Sequence, residues 1–85
     1  MATKSQHGRF YQGLPAFLRA LREGAGLTQR QLGKRLKKPQ SWVYNCEVAN
    51  RRVDVAEFIA WAKACKVDPQ AAFVRFLAIE SGRKR

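Results

Sequence analysis

Between Leu27 and Glu47 the chain reads LTQRQLGKRLKKPQSWVYNCE, two short helical patterns joined by a break at Lys37-Lys38-Pro39, and no other stretch constrains the fold as tightly. Thr28 stands where an N-cap belongs and Gln31 answers it three residues on, while Leu27 and Leu32 hold the outer and inner places of a hydrophobic staple. These signals predict a helix that starts at Gln29. Leu32 and Leu36 give it one apolar stripe, and Arg30, Lys34, Arg35 and Lys37 spread over the remaining surface. Pro39 has no N–H to give and prefers the first helical turn, so the first pattern stops near Leu36 and a second helix is expected from Pro39 to about Val48. On that helix Val43, Cys46 and Glu47 fall at i, i+3 and i+4 and face inward. Ser41, Tyr44, Asn45 and Val48 then face outward, with Gln40 at the leading end and Trp42 on one flank. The outward set offers amide, hydroxyl and aromatic groups without charge. Such groups match the hydrogen-bonding edges and methyl groups of bases, whereas phosphate calls for cations.

Together LTQRQLGKRL, PQSWVYNCE and the following RRVDVAEFIAWAKACKVDP resemble the helix-turn-helix of the Cro and phage-repressor (Xre) family, over about Leu18 to Pro69. The resemblance implies an all-α, five-helix, lambda-repressor-like DNA-binding domain with a central helix-turn-helix. It also implies roles. Gln29 matches the family glutamine whose side chain and amide hold a backbone phosphate. Gln40, Ser41 and Asn45 match its base-reading positions, and Trp42 and Tyr44 match variable flanking positions. Arg22 and Glu47 match an arginine and the glutamate that ends the recognition helix, which pair with each other. The residues support that pair on their own account, because Glu47 faces inward and a buried carboxylate needs a cationic partner. Three positions depart from the pattern: Lys37 replaces the usual turn glycine, Gly33 the usual alanine of the first helix, and Ala49 the glycine that closes the second. If Lys37 or Ala49 takes positive φ, each carries a cost of about 1 kcal/mol relative to glycine.

On this reading Gln40 and Asn45 are the main base readers, each able to make a two-bond contact with adenine, and Ser41 assists. Trp42 and Tyr44 are expected beside them, at sugar, phosphate or a thymine methyl, with a ring packed back on the domain as the other reading of Trp42. Phosphate anchoring is expected of Gln29 at the amino end of its helix, with Arg30, Lys38, Asn50 and Arg51 around it, where free N–H groups and the helix dipole favour an anion. Lys34 and Arg35 read as a solvated face.

The overall charge agrees. A net charge of +11 on 85 residues points to a polyanionic partner and to one small domain. An anionic membrane is the rival reading, but no run approaches the length of a membrane span. MATKSQHGRFYQG lacks the apolar core of a signal peptide, so a cytoplasmic location is expected. Cys46 and Cys65 stand alone at inward helical positions and read as small buried hydrophobes. With one His and no paired-Cys spacing, neither a metal nor a cofactor is expected. A nucleophile beside a base, a carboxylate pair in an apolar setting and a phosphate-binding glycine loop are all missing, so no enzymatic activity is expected.

Outside the central motif, residues 1–13 read as a flexible basic arm, 14–81 as the domain and 82–85 as a basic tail. Phe10 and Tyr11 either lie against the first helix or belong to an arm that enters a groove. That helix is expected to open at Pro15, to turn Leu14, Phe17, Leu18, Leu21 and Ala25 inward, and to stop at Gly24 or Gly26. Farther on, Asp54 and Glu57 form a second capping box for a helix over about 55–65, with an inward stripe of Val55, Phe58, Ile59, Ala62 and Cys65 and with Trp61 off that stripe. Val67-Asp68-Pro69 opens a last helix, to about Glu80, whose apolar surface is interrupted only by Arg75. That surface is too wide for one small core and calls for a partner. Phe73, Val74, Leu77 and Ala78 are therefore expected to form a homodimer interface, with Arg75 at its rim. The competing reading folds this helix back on Phe10, Tyr11 and Trp61 to enlarge a monomer core.

These observations imply a sequence-specific DNA-binding transcriptional regulator, of the repressor type, acting on a double-stranded and palindromic operator. A reading from a different class is an antitoxin or adaptor-type module that holds a partner protein through its last helix. A third, RNA or nonspecific DNA binding by charge alone, would have no need of Gln40, Ser41 and Asn45.

Overall fold

The computed structural model describes residues 9–82, which form five helices and no strand: α1 (Arg9–Gly24), α2 (Gln29–Leu36), α3 (Gln40–Glu47), α4 (Val55–Ala64) and α5 (Pro69–Gly82). The helix starts follow the caps written in the sequence. Thr28 Oγ1 accepts the Gln31 N–H at 3.0 Å while Gln31 Oε1 accepts the Thr28 N–H at 2.9 Å, so α2 begins at Gln29. Asp54 and Glu57 do the same for α4 at 2.8 and 3.0 Å, and Asp68 accepts the Ala71 N–H at 2.9 Å at the head of α5. Pro39 differs slightly from expectation. It is the extended N-cap residue (φ −68°, ψ 158°), and α3 itself runs from Gln40 to Glu47.

Four helix ends share one device, a residue in the left-handed region followed by a backbone N–H that reaches back five residues. These residues are Gly26, Lys37, Ala49 and Lys66, at φ of 74°, 60°, 67° and 62°. The returning bonds run from Leu27, Lys38, Asn50 and Val67 to the carbonyls of Arg22, Gly33, Asn45 and Ala62, at 2.9 to 3.2 Å. This is the Schellman arrangement, which satisfies carbonyls the helix leaves open. Only Gly26 meets it with the residue that is unstrained there. Lys37 and Ala49 take the positive φ anticipated from their positions, and Lys66, which the sequence does not flag, is a further case.

Gly33 is explained by the turn it faces. A Cβ added there would lie 2.7 Å from the Lys38 backbone carbonyl, so α2 and the turn after it approach too closely for alanine.

Two expectations shift. The first helix begins at Arg9, ahead of Pro15, so residues 9–13 are helical and the proline lies inside. Gly13 and Pro15 are buried, with Gly13 directly against the Glu80 carboxylate of α5, and this packing overrides the local preference of proline for a first turn. Residues 1–8 of the expected arm, with His7, lie outside the described residues, as do the side chains of Phe10 and Tyr11 and the tail from 83 on.

The second shift is in α4. Its buried row is Phe58, Trp61, Ala62 and Cys65, while Val55 is 75% exposed and Ile59 38% exposed. Trp61, expected off the stripe, is fully buried, and its Nε1–H donates to the Leu18 carbonyl at 3.0 Å. A buried indole needs such an acceptor, and α1 provides it. The helix is thus rotated about one position from the phase that its aliphatic residues suggest. Val55 and Ile59 instead line an apolar groove of about 430 Å³ with Leu14, Phe58, Phe73 and Phe76.

Leu18 and Leu21 of α1, Leu32 of α2, Val43 and Cys46 of α3, and Ala72 and Phe76 of α5 complete the core around Trp61. Both thiols lie in it, and burial pushes both of them above the usual cysteine range, as suits inert apolar side chains.

Candidate nucleic-acid interface

The floor of the interface is an ion pair. Arg22 Nε and Nη2 donate to the two Glu47 oxygens at 2.7 and 3.1 Å, and both side chains are nearly inaccessible. The hydrogen-bonded Glu47 carboxylate raises the pKa of the Arg22 guanidinium above its already high ordinary value, so the guanidinium stays charged. Arg22 Nη1 also donates to the Leu27 carbonyl at 2.8 Å, which ties the start of the α2 turn to the end of α3. A bidentate fork on one carboxylate is the geometry in which a buried pair holds position best. The sequence expectation for Arg22 and Glu47 matches this arrangement.

From Glu47 a chain of amides runs to the surface. Gln29 Nε2 donates to Glu47 Oε1 at 3.0 Å, and Gln40 Nε2 donates to Gln29 Oε1 at 2.7 Å. Gln29 therefore sits between the ion pair and the first residue of α3, at the amino end of α2, where the helix dipole and first-turn N–H groups face outward. A second amide pair stands at the other end of α3, where Asn50 Nδ2 donates to Asn45 Oδ1 at 3.1 Å. Gln40 and Asn45 thus each lean on another amide, which narrows the directions in which they can present their remaining hydrogen-bonding groups.

Gln40, Ser41, Tyr44 and Val48 are exposed, with Tyr44 at 47% and Val48 at 43%, and Asn45 is half-buried among them. This is the uncharged row that the sequence pattern places outward. Trp42 is set apart from it. Its ring turns toward the core, 6.2 Å from the Trp61 ring between centroids, as in the second of the two readings given for it.

Cations border the row. Arg30 and Lys38 are exposed, and Arg51 donates from Nη1 to Glu57 Oε1 at 3.1 Å. Arg35, read from sequence as part of a solvated face, has a structural bond: its Nη1 donates to the Ala64 carbonyl at 2.7 Å and ties α2 to the last turn of α4. No local sequence signal marks that contact, because its partner is a backbone carbonyl on another helix. Val48, four residues after Tyr44, is exposed on the same side, as its outward spacing predicts.

Residues 14–73 match the family model described as a helix-turn-helix domain. A solved structure, an XRE-family like protein from Pseudomonas syringae pv. tomato str. DC3000, superposes with a TM-score of 0.79 and is 41% identical over 92% of this chain and 95% of that one. The chain belongs to the Xre family of helix-turn-helix proteins. No curated protein matches it. At the level of the Xre family it is a DNA-binding regulator, and α2 and α3 are its helix-turn-helix. No described helix is long and apolar enough to cross a membrane.

Proposed function

We propose that this Xre-family protein is a sequence-specific transcriptional repressor that lays α3 in the major groove of a palindromic operator and binds as a homodimer. The observation that carries the reading is the outward row of Gln40, Ser41 and Tyr44 with the half-buried Asn45 among them, uncharged in a chain of net charge +11. Nonspecific electrostatic binding would use that surface for lysine and arginine; base reading uses amides. Gln40 and Asn45 read bases, Ser41 assists, and Tyr44 with Val48 meets thymine methyl groups. Gln29, Arg30, Lys38, Asn50 and Arg51 hold phosphates on either side. The partner copy docks through α5, where Phe73, Val74, Leu77 and Ala78 are exposed, and so brings a second α3 to the groove one helical turn, about 34 Å, away.

Selection of bound fragments from random duplex DNA tests this, followed by competition at two salt concentrations. The expected outcome is a two-fold symmetric consensus whose preference over random DNA survives the higher salt. Equal loss of all sequences as salt rises removes sequence-specific regulation as the function.

A further inference from the structure

Trp42 is the ring of α3 that turns away from the exposed row, and three parts of the chain meet on it. Trp61, fully buried in the core, lies 6.2 Å from it between ring centroids, at an interplanar angle of 37°. The Lys38 ammonium, from the turn before α3, stands 5.2 Å from the ring centroid. The Arg51 guanidinium, from the segment after α3, stands 4.9 Å from it. Arg51 is also joined to Glu57 in the first turn of α4. One indole, backed by the core, therefore gathers two cations that lie on opposite sides of α3 in sequence.

The indole face attracts cations more strongly than any other side-chain ring. Long cationic side chains otherwise occupy many rotamers, and fixing them on a ligand costs entropy. A lysine or arginine already resting on a ring surrenders less freedom when a phosphate arrives.

We propose that Trp42 is a positioning residue for DNA binding: anchored on Trp61, its indole presets Lys38 and Arg51 as a pair of phosphate ligands beside the recognition helix. The proposal rests on the DNA-binding reading above. It replaces the flanking base contact expected of Trp42 with a platform beneath two backbone contacts. The two roles differ in kind, because a base contact acts at one base pair whereas a platform for phosphate ligands acts on all sequences alike.

The test is a pair of double-mutant cycles on the full chain, with affinities measured on a selected site and on a random duplex. Trp42→Leu is expected to weaken both duplexes alike by about ten-fold, roughly three-fold for each cation released from the ring. Trp42→Phe keeps a ring and recovers part of the loss. Lys38→Ala and Arg51→Ala should each cost about three-fold less in the Trp42→Leu background than in the parent. A merely structural role for Trp42 would lower affinity without changing the cost of the cation substitutions. Unfolding midpoints are recorded for every variant, and if Trp42→Leu does not fold, the same cycles are run on Trp42→Phe, where a smaller coupling than in the parent is required. Equal losses in both backgrounds, or a Trp42 effect confined to one base pair, overturn the proposal while leaving the DNA-binding reading intact. A parent that binds no duplex removes that reading, and the proposal with it.

Discussion

Helices α3 and α5 both expose uncharged side chains, yet they do so in opposite ways. On α3 the two amides of the outward face are tied down: Gln40 leans on Gln29, Asn45 on Asn50, and the inner face ends on the Arg22–Glu47 pair. On α5 the large exposed groups are Phe73, Val74, Leu77 and Ile79, between 44 and 57% accessible, and Ala72, Phe76 and Glu80 are the ones buried among its residues 69–81. The first surface has little area to bury and much hydrogen-bonding direction; the second has area and almost no direction. Direction suits a ligand with a fixed pattern of donors and acceptors, such as base edges, and area suits another apolar surface. It follows that substitutions on the α3 side should act through geometry and buried polarity, and those on the exposed face of α5 through association.

The largest effect is expected at the floor of α3. Glu47→Ala leaves Arg22 as a buried charge without its partner and strips Gln29 of its acceptor, so stability should fall by about 3–5 kcal/mol in urea denaturation. Replacing both members, Arg22→Met with Glu47→Leu, should restore most of the stability but not operator affinity, because Gln29 and Gln40 remain unanchored. Recovery of both would mean that the amide chain contributes nothing to recognition.

Next in size is Gly33→Ala, which restores the residue usual at this position in the resembled family. Here the added methyl meets the Lys38 carbonyl, a backbone atom that moves only with the whole turn. A loss of about 1–3 kcal/mol is expected. An unchanged unfolding midpoint would show that the turn relaxes freely, and the close approach would then have no energetic meaning. On the reading surface itself, Asn45→Ala should cost about 1–3 kcal/mol of discrimination at one base pair while leaving the unfolding midpoint where it was.

A smaller effect, of opposite sign, belongs to the left-handed positions. Ala49→Gly removes the steric cost of a Cβ at φ 67° and should stabilise by up to about 1 kcal/mol, offset in part by the greater freedom of glycine in the unfolded chain. A thermal shift in the destabilising direction would indicate that the Ala49 methyl has packing value that outweighs its strain.

Much of this molecule is legible in its sequence, for a local reason. Capping boxes at Thr28/Gln31 and Asp54/Glu57 are short-range bonds between side chains and backbone three residues apart, so the helix starts at Gln29 and Val55 follow from residue identity. The inward placement of Val43, Cys46 and Glu47 follows from a period within one helix. What was not legible depends on contacts between helices. Pro15 lies inside α1 because α5 packs there, and α4 is rotated toward Trp61 because Leu18 offers a carbonyl to its indole. The bond from Arg35 to Ala64 and the convergence of Lys38 and Arg51 on Trp42 likewise join residues whose proximity no periodicity announces. The row of base-reading candidates could be named in advance because an absence of charge on a highly basic chain is visible in the sequence.

The smallest effect on the folded chain is expected on α5. Val74 is 57% exposed, so Val74→Asp removes little buried apolar area and should change the stability of the monomer by no more than about 0.5 kcal/mol. Its effect on association should be large by comparison, since a carboxylate placed at the centre of an apolar two-fold contact would face its own copy. Sedimentation of the parent and of Val74→Asp, each alone and with a palindromic duplex, separates the two quantities. The expected parent pairs, at least on the duplex, and the expected mutant does not, while their urea transitions at monomer concentrations coincide. A parent that stays monomeric on its operator would leave the α5 face to a different protein, as the antitoxin or adaptor reading requires. A mutant that unfolds far more readily would instead make Val74 part of the monomer's own core, and the contrast between α3 and α5 would then be lost.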